Sequence, residues 1–254
     1  MVMSKLPVAL QLYTLREQSA IDFTGVIKQV GQMGYGGVEL AGYGGLSAEA
    51  LKELLDGAGL RVAGDHVGLD RLENQLDHVI AFSKAIGNDM VVLPAVPVQR
   101  RADLAGWRNL AGELTRIGER LVDHGLTFCY HNHAWEFAPL DGTDGFHVLF
   151  GESDPRYVQI ELDTFWAKKG GFDPVALMRE FSGRVPLLHL KDMTDDEEAT
   201  FAEVGEGTMD FQSIFQAAPT AGARWYIVEQ DRCRRSPLES VAISLRHLRE
   251  WGIA

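Results

Sequence analysis

Short apolar runs recur along the chain at intervals of about 25–40 residues, the size of one βα unit. They are PVALQLY (7–13), GGVELAG (36–42), RVAGDHV (61–67), MVVLPAV (90–96), LTFCYHNH (126–133), YVQIELDTF (157–165), PLLHLKD (186–192) and WYIVEQD (225–231). Runs of this length and composition read as buried strands. Between them apolar residues return at three- and four-residue steps, as in 23–34, 47–59, 73–87, 107–125, 173–183, 210–218 and 237–252, which predicts helices. Ser47, Asp173 and Asp210 stand where N-caps belong, and Gly34, Gly59, Gly87, Gly125 and Gly183 where helices stop. Strands alternating with helices make an α/β chain with a parallel sheet. Eight such units in 254 residues close a (β/α)8 TIM barrel. No Pro-, Gly- or Ser-rich linker divides the chain, so one barrel domain is expected over residues 1–254. An open doubly wound sheet is the weaker alternative, because QLYTLRE (11–17) has no glycine for a phosphate turn.

Composition narrows the partners. The formal net charge of −12 argues against nucleic acid, which needs a basic footprint. It leaves a neutral or phosphorylated small molecule open. Cys129 and Cys233 are the only cysteines and fit two buried thiols in a reducing compartment. No run of eighteen apolar residues offers a membrane span, and MVMSKLPVALQLY lacks the apolar core of a signal peptide. A cytoplasmic protein is expected; homo-oligomerisation is left open.

In a barrel, chemistry gathers at the C-terminal strand tips. Read in order, the tips hold Tyr13, Glu39, Asp65 and His66, then His131, Asn132 and His133, then Glu161 and Asp163, then His189, Lys191 and Asp192, then Glu229 and Asp231. Only the fourth run ends apolar. Taken singly, a histidine there is more often a hydrogen-bonded structural residue than a ligand. Asp192 and Asp231 also read as helix caps, and Lys191 as an exposed side chain. Convergence decides otherwise. His131, Asp163, His189 and Glu229 occupy strands five to eight, and parallel neighbours lie about 5 Å apart. Two imidazoles and two carboxylates suit one divalent metal such as Mn²⁺, Zn²⁺ or Co²⁺ better than Ca²⁺, which prefers oxygen alone.

The pieces "VALQLYTLRE", "YHNHAWEF", "ELDTFWAKKGG", "LLHLKDM" and "YIVEQD" together resemble the sugar isomerase/epimerase superfamily of xylose isomerase-like TIM barrels. That superfamily includes tagatose 3-epimerase-like enzymes, inosose dehydratases and the endonuclease IV group. The branch in view is usually described only as sugar phosphate isomerase/epimerase. The resemblance implies one divalent ion, Mn²⁺ first and Zn²⁺, Co²⁺ or Mg²⁺ as alternatives. Its ligands carry over to Asp163, His189 and Glu229, with His131 where the family often has glutamate. Of the family's acid–base glutamate pair only Glu229 remains, and Trp166 stands where epimerases often carry a histidine.

The implied chemistry is proton abstraction beside a carbonyl through a metal-stabilised enediolate. Glu229 is the candidate base, and His131 or His133 returns or relays the proton. Glu39, His66 and Lys191 are expected to bind hydroxyls or a phosphate, with Tyr13, Trp135 and Trp166 as walls. The net outcome is isomerisation or epimerisation, or else a lyase reaction sharing the first step: inosose dehydration or β-elimination of a 3-keto-glycoside. An endonuclease IV-like nuclease and a non-catalytic sugar-binding barrel are the rivals from other classes. EVGEGTMDF (203–211) reads either as a cover with Glu206 near the metal edge or as a plain βα loop.

Overall fold

The computed structural model describes residues 5–254. Eight parallel strands close into one barrel: β1 (Val8–Gln11), β2 (Gly37–Leu40), β3 (Arg61–His66), β4 (Met90–Leu93), β5 (Thr127–His131), β6 (Gln159–Asp163), β7 (Leu187–Leu190) and β8 (Trp225–Val228). Sequential strands are neighbours, and β8 closes on β1 with Ala9 opposite Ile227. Each strand lies inside an apolar run picked out by the sequence. This is a single-domain α/β barrel, and the open sheet is set aside.

Ten helices connect the described strands: α1 (Arg16–Met33), α2 (Ala48–Gly57), α3 (Leu69–Asn74), α4 (Leu76–Ile86), α5 (Leu104–Asp123), α6 (Gly145–Glu152), α7 (Thr164–Lys169), α8 (Pro174–Glu180), α9 (Phe211–Ala221) and α10 (Pro237–Glu250). The expected caps form: Ser47, Asp173 and Asp210 accept from the backbone N–H of Ala50, Val175 and Ser213. Helices α1 and α4 end on Gly34 and Gly87 in the left-handed conformation, which costs glycine nothing sterically. Three helices depart from the sequence reading: the helix expected over 73–87 is α4 alone, and α3 precedes it with a break at Gln75. The sixth strand stops at Asp163, and the next residues turn into α7 because the Asp163 side chain caps Trp166 N–H. The short α6 was not predicted.

Two faces of the strands divide the core. Outward residues such as Leu10, Val38, Tyr130, Leu162 and Leu188 pack with the helices. Inward residues Ala9, Ala63, Met90, Val92, Cys129, Leu187, Trp225 and Ile227 form a separate apolar plug. The expectation of two buried thiols holds for Cys129 and not for the half-buried Cys233. Alternation then places the next inward residues nearer the strand ends. These are polar: Gln11, Glu39, His131, Glu161, Asp163, His189 and Glu229, all buried. No helix is long and apolar enough to cross a membrane among the described residues.

Candidate active site

Register builds the site. Asp163 on β6 pairs with His189 on β7, and His189 pairs in turn with Ile227 on β8, two residues before Glu229. His131 ends β5 opposite Glu161. One ligand atom from each of His131, Asp163, His189 and Glu229 lies within 4.8 Å of the others. His189 Nδ1 is 2.9 Å from Glu229 Oε2, and His131 Nε2 is 3.3 Å from Asp163 Oδ2. A second group of four, Glu39, His66, Glu161 and His189, meets the same distance limit. His189 is common to both, one ring nitrogen serving each.

Glu39 lies behind His189. Its Oε2 receives Gln11 Nε2 at 2.7 Å and faces His189 Nε2 at 2.7 Å and His66 Nε2 at 3.2 Å. His66 also reaches Glu161 Oε2 at 2.8 Å, so it spans the barrel from β3 to β6. Gly64 makes room for this arrangement: a Cβ there would sit 2.5 Å from Glu39 Oε1.

Lys191, expected to bind a hydroxyl or phosphate, is 1% exposed, which excludes the alternative of a surface side chain. Its ammonium lies 2.9 Å from Asp163 Oδ2, 2.7 Å from Glu229 Oε2 and 2.7 Å from Asp231 Oδ2. Burial opposes its charge, but these carboxylates outweigh burial and hold its pKa well above the usual lysine value. Glu229 is held well below the usual carboxylate range: burial pushes it up, and Lys191 and His189 bring it down further. His133 goes the other way, to about 2, through burial and then the neighbouring His131 and Lys191. Its ring stacks on Trp135 at 3.9 Å, meets His131 edge-on at 4.8 Å and lies 5.9 Å from Trp166.

Three residues gain positions that spacing did not reveal. Asn132 brackets the backbone of Asp163, its Oδ1 accepting from the N–H and its Nδ2 donating to the C=O, which locks β5 to β6 beside the cluster. Asp231 pairs with Lys191 and caps no helix. Asp192 gathers the backbone N–H groups of Met193, Gly205, Gly207 and Met209 and so shapes the 203–211 loop. Glu206 on that loop faces Arg235 at 2.7 Å, directed to the α10 side and not to the metal edge. Tyr13 is 44% exposed and, with Trp166 and Asp231, lines a cavity of about 640 Å³ at the barrel mouth.

The donor set fits a divalent ion. Glu39, Glu161, Asp163 and Glu229 are four buried carboxylates, offset without an ion only by Lys191 and by His66 and His189, whose rings, against burial, they hold well above the usual histidine range. His189 faces carboxylate oxygens with both ring nitrogens, which only a doubly protonated ring satisfies by hydrogen bonding. An ion on the Nδ1 side lets a neutral ring keep its Nε2–H on Glu39, the usual outer support of a ligating histidine. His131 Nδ1, Glu39 Oε1 and Glu161 Oε1 are buried without a partner among the described residues.

Known proteins with similar sequences and folds agree with this architecture. The family described as "Xylose isomerase-like TIM barrel" matches residues 27–251. An inosose dehydratase from Clostridium tetani is 26% identical over 163 residues, covering 57% of this chain and 54% of its own. The chain thus spans about half the length of that relative. The rhizopine catabolism protein MocC of Rhizobium meliloti is 26% identical, with 90% of this chain and 81% of its own covered. The crystal structure of a sugar phosphate isomerase/epimerase from Parabacteroides distasonis superposes with a TM-score of 0.82 at 25% identity, covering 97% of this chain and 94% of its own.

Proposed function

The chain belongs to the xylose isomerase-like TIM barrel family, and from that premise we propose that it is a metal-dependent enzyme removing a proton beside the carbonyl of a small sugar derivative, with loss of a neighbouring hydroxyl as the net result. His131, Asp163, His189 and Glu229 would hold the ion, Mn²⁺ first and Zn²⁺, Co²⁺ or Mg²⁺ as alternatives for a mixed nitrogen–oxygen set. When bound, the ion supplies positive charge for the substrate's carbonyl oxygen.

The observation that carries this reading is the Glu229 carboxylate, held charged by Lys191 with one oxygen uncommitted. Every polar contact of the Glu229 carboxylate among the described residues falls on Oε2, so Oε1 remains for a substrate proton. The Lys191 ammonium, 2.7 Å away, gives its N–H groups to Asp163, Glu229 and Asp231 and so keeps the Glu229 carboxylate charged and fixed in place as the base. In a syn elimination one group on one face suffices, Glu229 taking the α-proton and returning it to the departing hydroxyl, which leaves as water, whereas epimerisation needs a second proton carrier on the opposite face. Glu39 orients His189, and His66 is tied to Glu161, so both act as positioning residues in this reading. His133, stacked on Trp135, and Trp166 wall the sugar and exclude water. Tyr13 lies across the mouth.

The names of the curated relatives support dehydration. Isomerisation or epimerisation is the second reading, favoured by the name of the Parabacteroides structure and by His131, three strands round the barrel from Glu229, as a second proton carrier. The test is to give the Mn²⁺-loaded protein inososes, ketoses and 3-keto-glycosides in D₂O. A product short of one water, carrying deuterium at the carbon that lost its hydroxyl once the enol ketonises, is the expected result with an inosose, and Glu229→Gln should slow it at least about 100-fold. Ligand affinity with no carbon-bound exchange on any of these compounds would overturn the proposal.

A further inference from the structure

We propose that the cavity over the barrel mouth is an anion subsite in which Arg232, assisted by Arg16, holds a carboxylate or phosphate carried by the substrate. The inference rests on the reading above only for the sugar nature of that substrate.

The cavity encloses about 640 Å³, within the range of small-ligand sites. It adjoins the catalytic cluster through Trp166 and through Asp231, whose carboxylate is engaged by Lys191. Arg232 lines it and makes no hydrogen bond or ion pair among the described residues. The Arg16 guanidinium lies over the Tyr13 ring at 4.3 Å and donates only to carbonyls, Tyr13 O at 2.9 Å and Asp231 O at 3.0 Å. Neither cation is neutralised by a carboxylate, in a chain with 36 acidic and 24 basic residues. Arg234, on the same wall, shows the contrast: Asp196 and Thr200 already hold it. Glu198 is the one other carboxylate of the lining.

A second observation points to the same wall. Gln230 is buried, yet neither its amide nitrogen nor its amide oxygen has a partner among the described residues. It lines an adjoining cavity of about 450 Å³ that shares Arg16, Asp231 and Arg232. A buried amide left unmatched is costly unless a ligand or water engages it. Two guanidiniums without a carboxylate partner recognise an oxyanion, since guanidinium presents paired N–H groups to carboxylate and phosphate alike, and Gln230 stands behind them on the adjoining cavity.

The test titrates glucuronate, glucose 6-phosphate and glucose into the Mn²⁺-loaded protein by calorimetry. At least one anionic probe should bind about tenfold more tightly than glucose. Arg232→Gln should cut that preference to about threefold or less, and Arg232→Lys should restore part of it. Arg232 is exposed, so both variants should melt with the parent protein. Stronger binding of glucuronate identifies a sugar acid, and stronger binding of the phosphate a phosphorylated sugar. Equal affinity for all three probes, no binding of either anion, or a preference that survives Arg232→Gln would overturn the subsite. Binding heat is read without turnover, so failure of the D₂O exchange leaves this result standing. Turnover of neutral inososes without any anion preference would sink the subsite alone.

Discussion

Lys191 shows how much one side chain in the interior depends on its partners. Removing one member of a buried ion pair leaves the others uncompensated, at a cost of about 3–5 kcal/mol. Lys191→Met should therefore lower metal-free stability by about that amount in urea unfolding, and Mn²⁺ should recover part of the loss by supplying charge to Asp163 and Glu229. Its inward face just past the end of β7 follows from counting in twos from His189, but its depth does not, because alternation gives a face and not a distance. Glu136 makes a separate case. Burial pushes its carboxyl up to about 7, against the Tyr130 hydroxyl and the His133 N–H that favour its charge. The folded state thus binds more protons than the unfolded chain between about pH 4.3 and the folded value. The contribution of Glu136 should be least unfavourable at the acid end of that window and worsen as pH rises through it. Urea midpoints across pH 4–8 should show this decline, and Glu136→Gln should flatten it.

At the scale of elements, β2 and β3 are tied by an absence. Gly64 has no Cβ where one would strike Glu39 Oε1, and Glu39 has little freedom to yield, because Gln11, His66 and His189 hold its other oxygen. Gly64→Ala should displace Glu39, release His189 and weaken Mn²⁺ binding about 10–100-fold, the usual loss for an outer support, as read by calorimetry. This was not legible in the sequence, because the register shift between β2 and β3 at Val38 and Glu39 sets the approach. Helix α6 escaped detection for a different reason. Phe146, Val148, Leu149 and Phe150 are all buried, so the helix has little polar face to mark its period. Helix α7 was hidden by the run ELDTF, whose apolar residues continue the strand pattern past the point where Asp163 turns the chain. The long amphipathic helices and their caps, by contrast, were plain.

The whole molecule was the most legible level. Eight apolar runs with helices between them admit few closed arrangements, and strand order alone puts the polar tips of β5 to β8 side by side. What one-dimensional order withheld was reach across the barrel: Glu39 meeting His189, and His66 meeting Glu161. Such contacts depend on rotamers over a narrow interior and leave no spacing in the chain. If the ion is held as proposed, stripping it with EDTA should lower the melting temperature by about 5–10 °C relative to protein at a hundredfold excess over Kd, measured by calorimetric scanning. The two nitrogens of His189 extend that effect. One faces the closing half of the ring and the other the opening half, so a single imidazole works as a tie-rod between opposite walls. Loading the ion should consequently slow hydrogen–deuterium exchange in β2, which donates no ligand, and cutting the tie with Glu39→Gln should confine the slowing to β5 through β8.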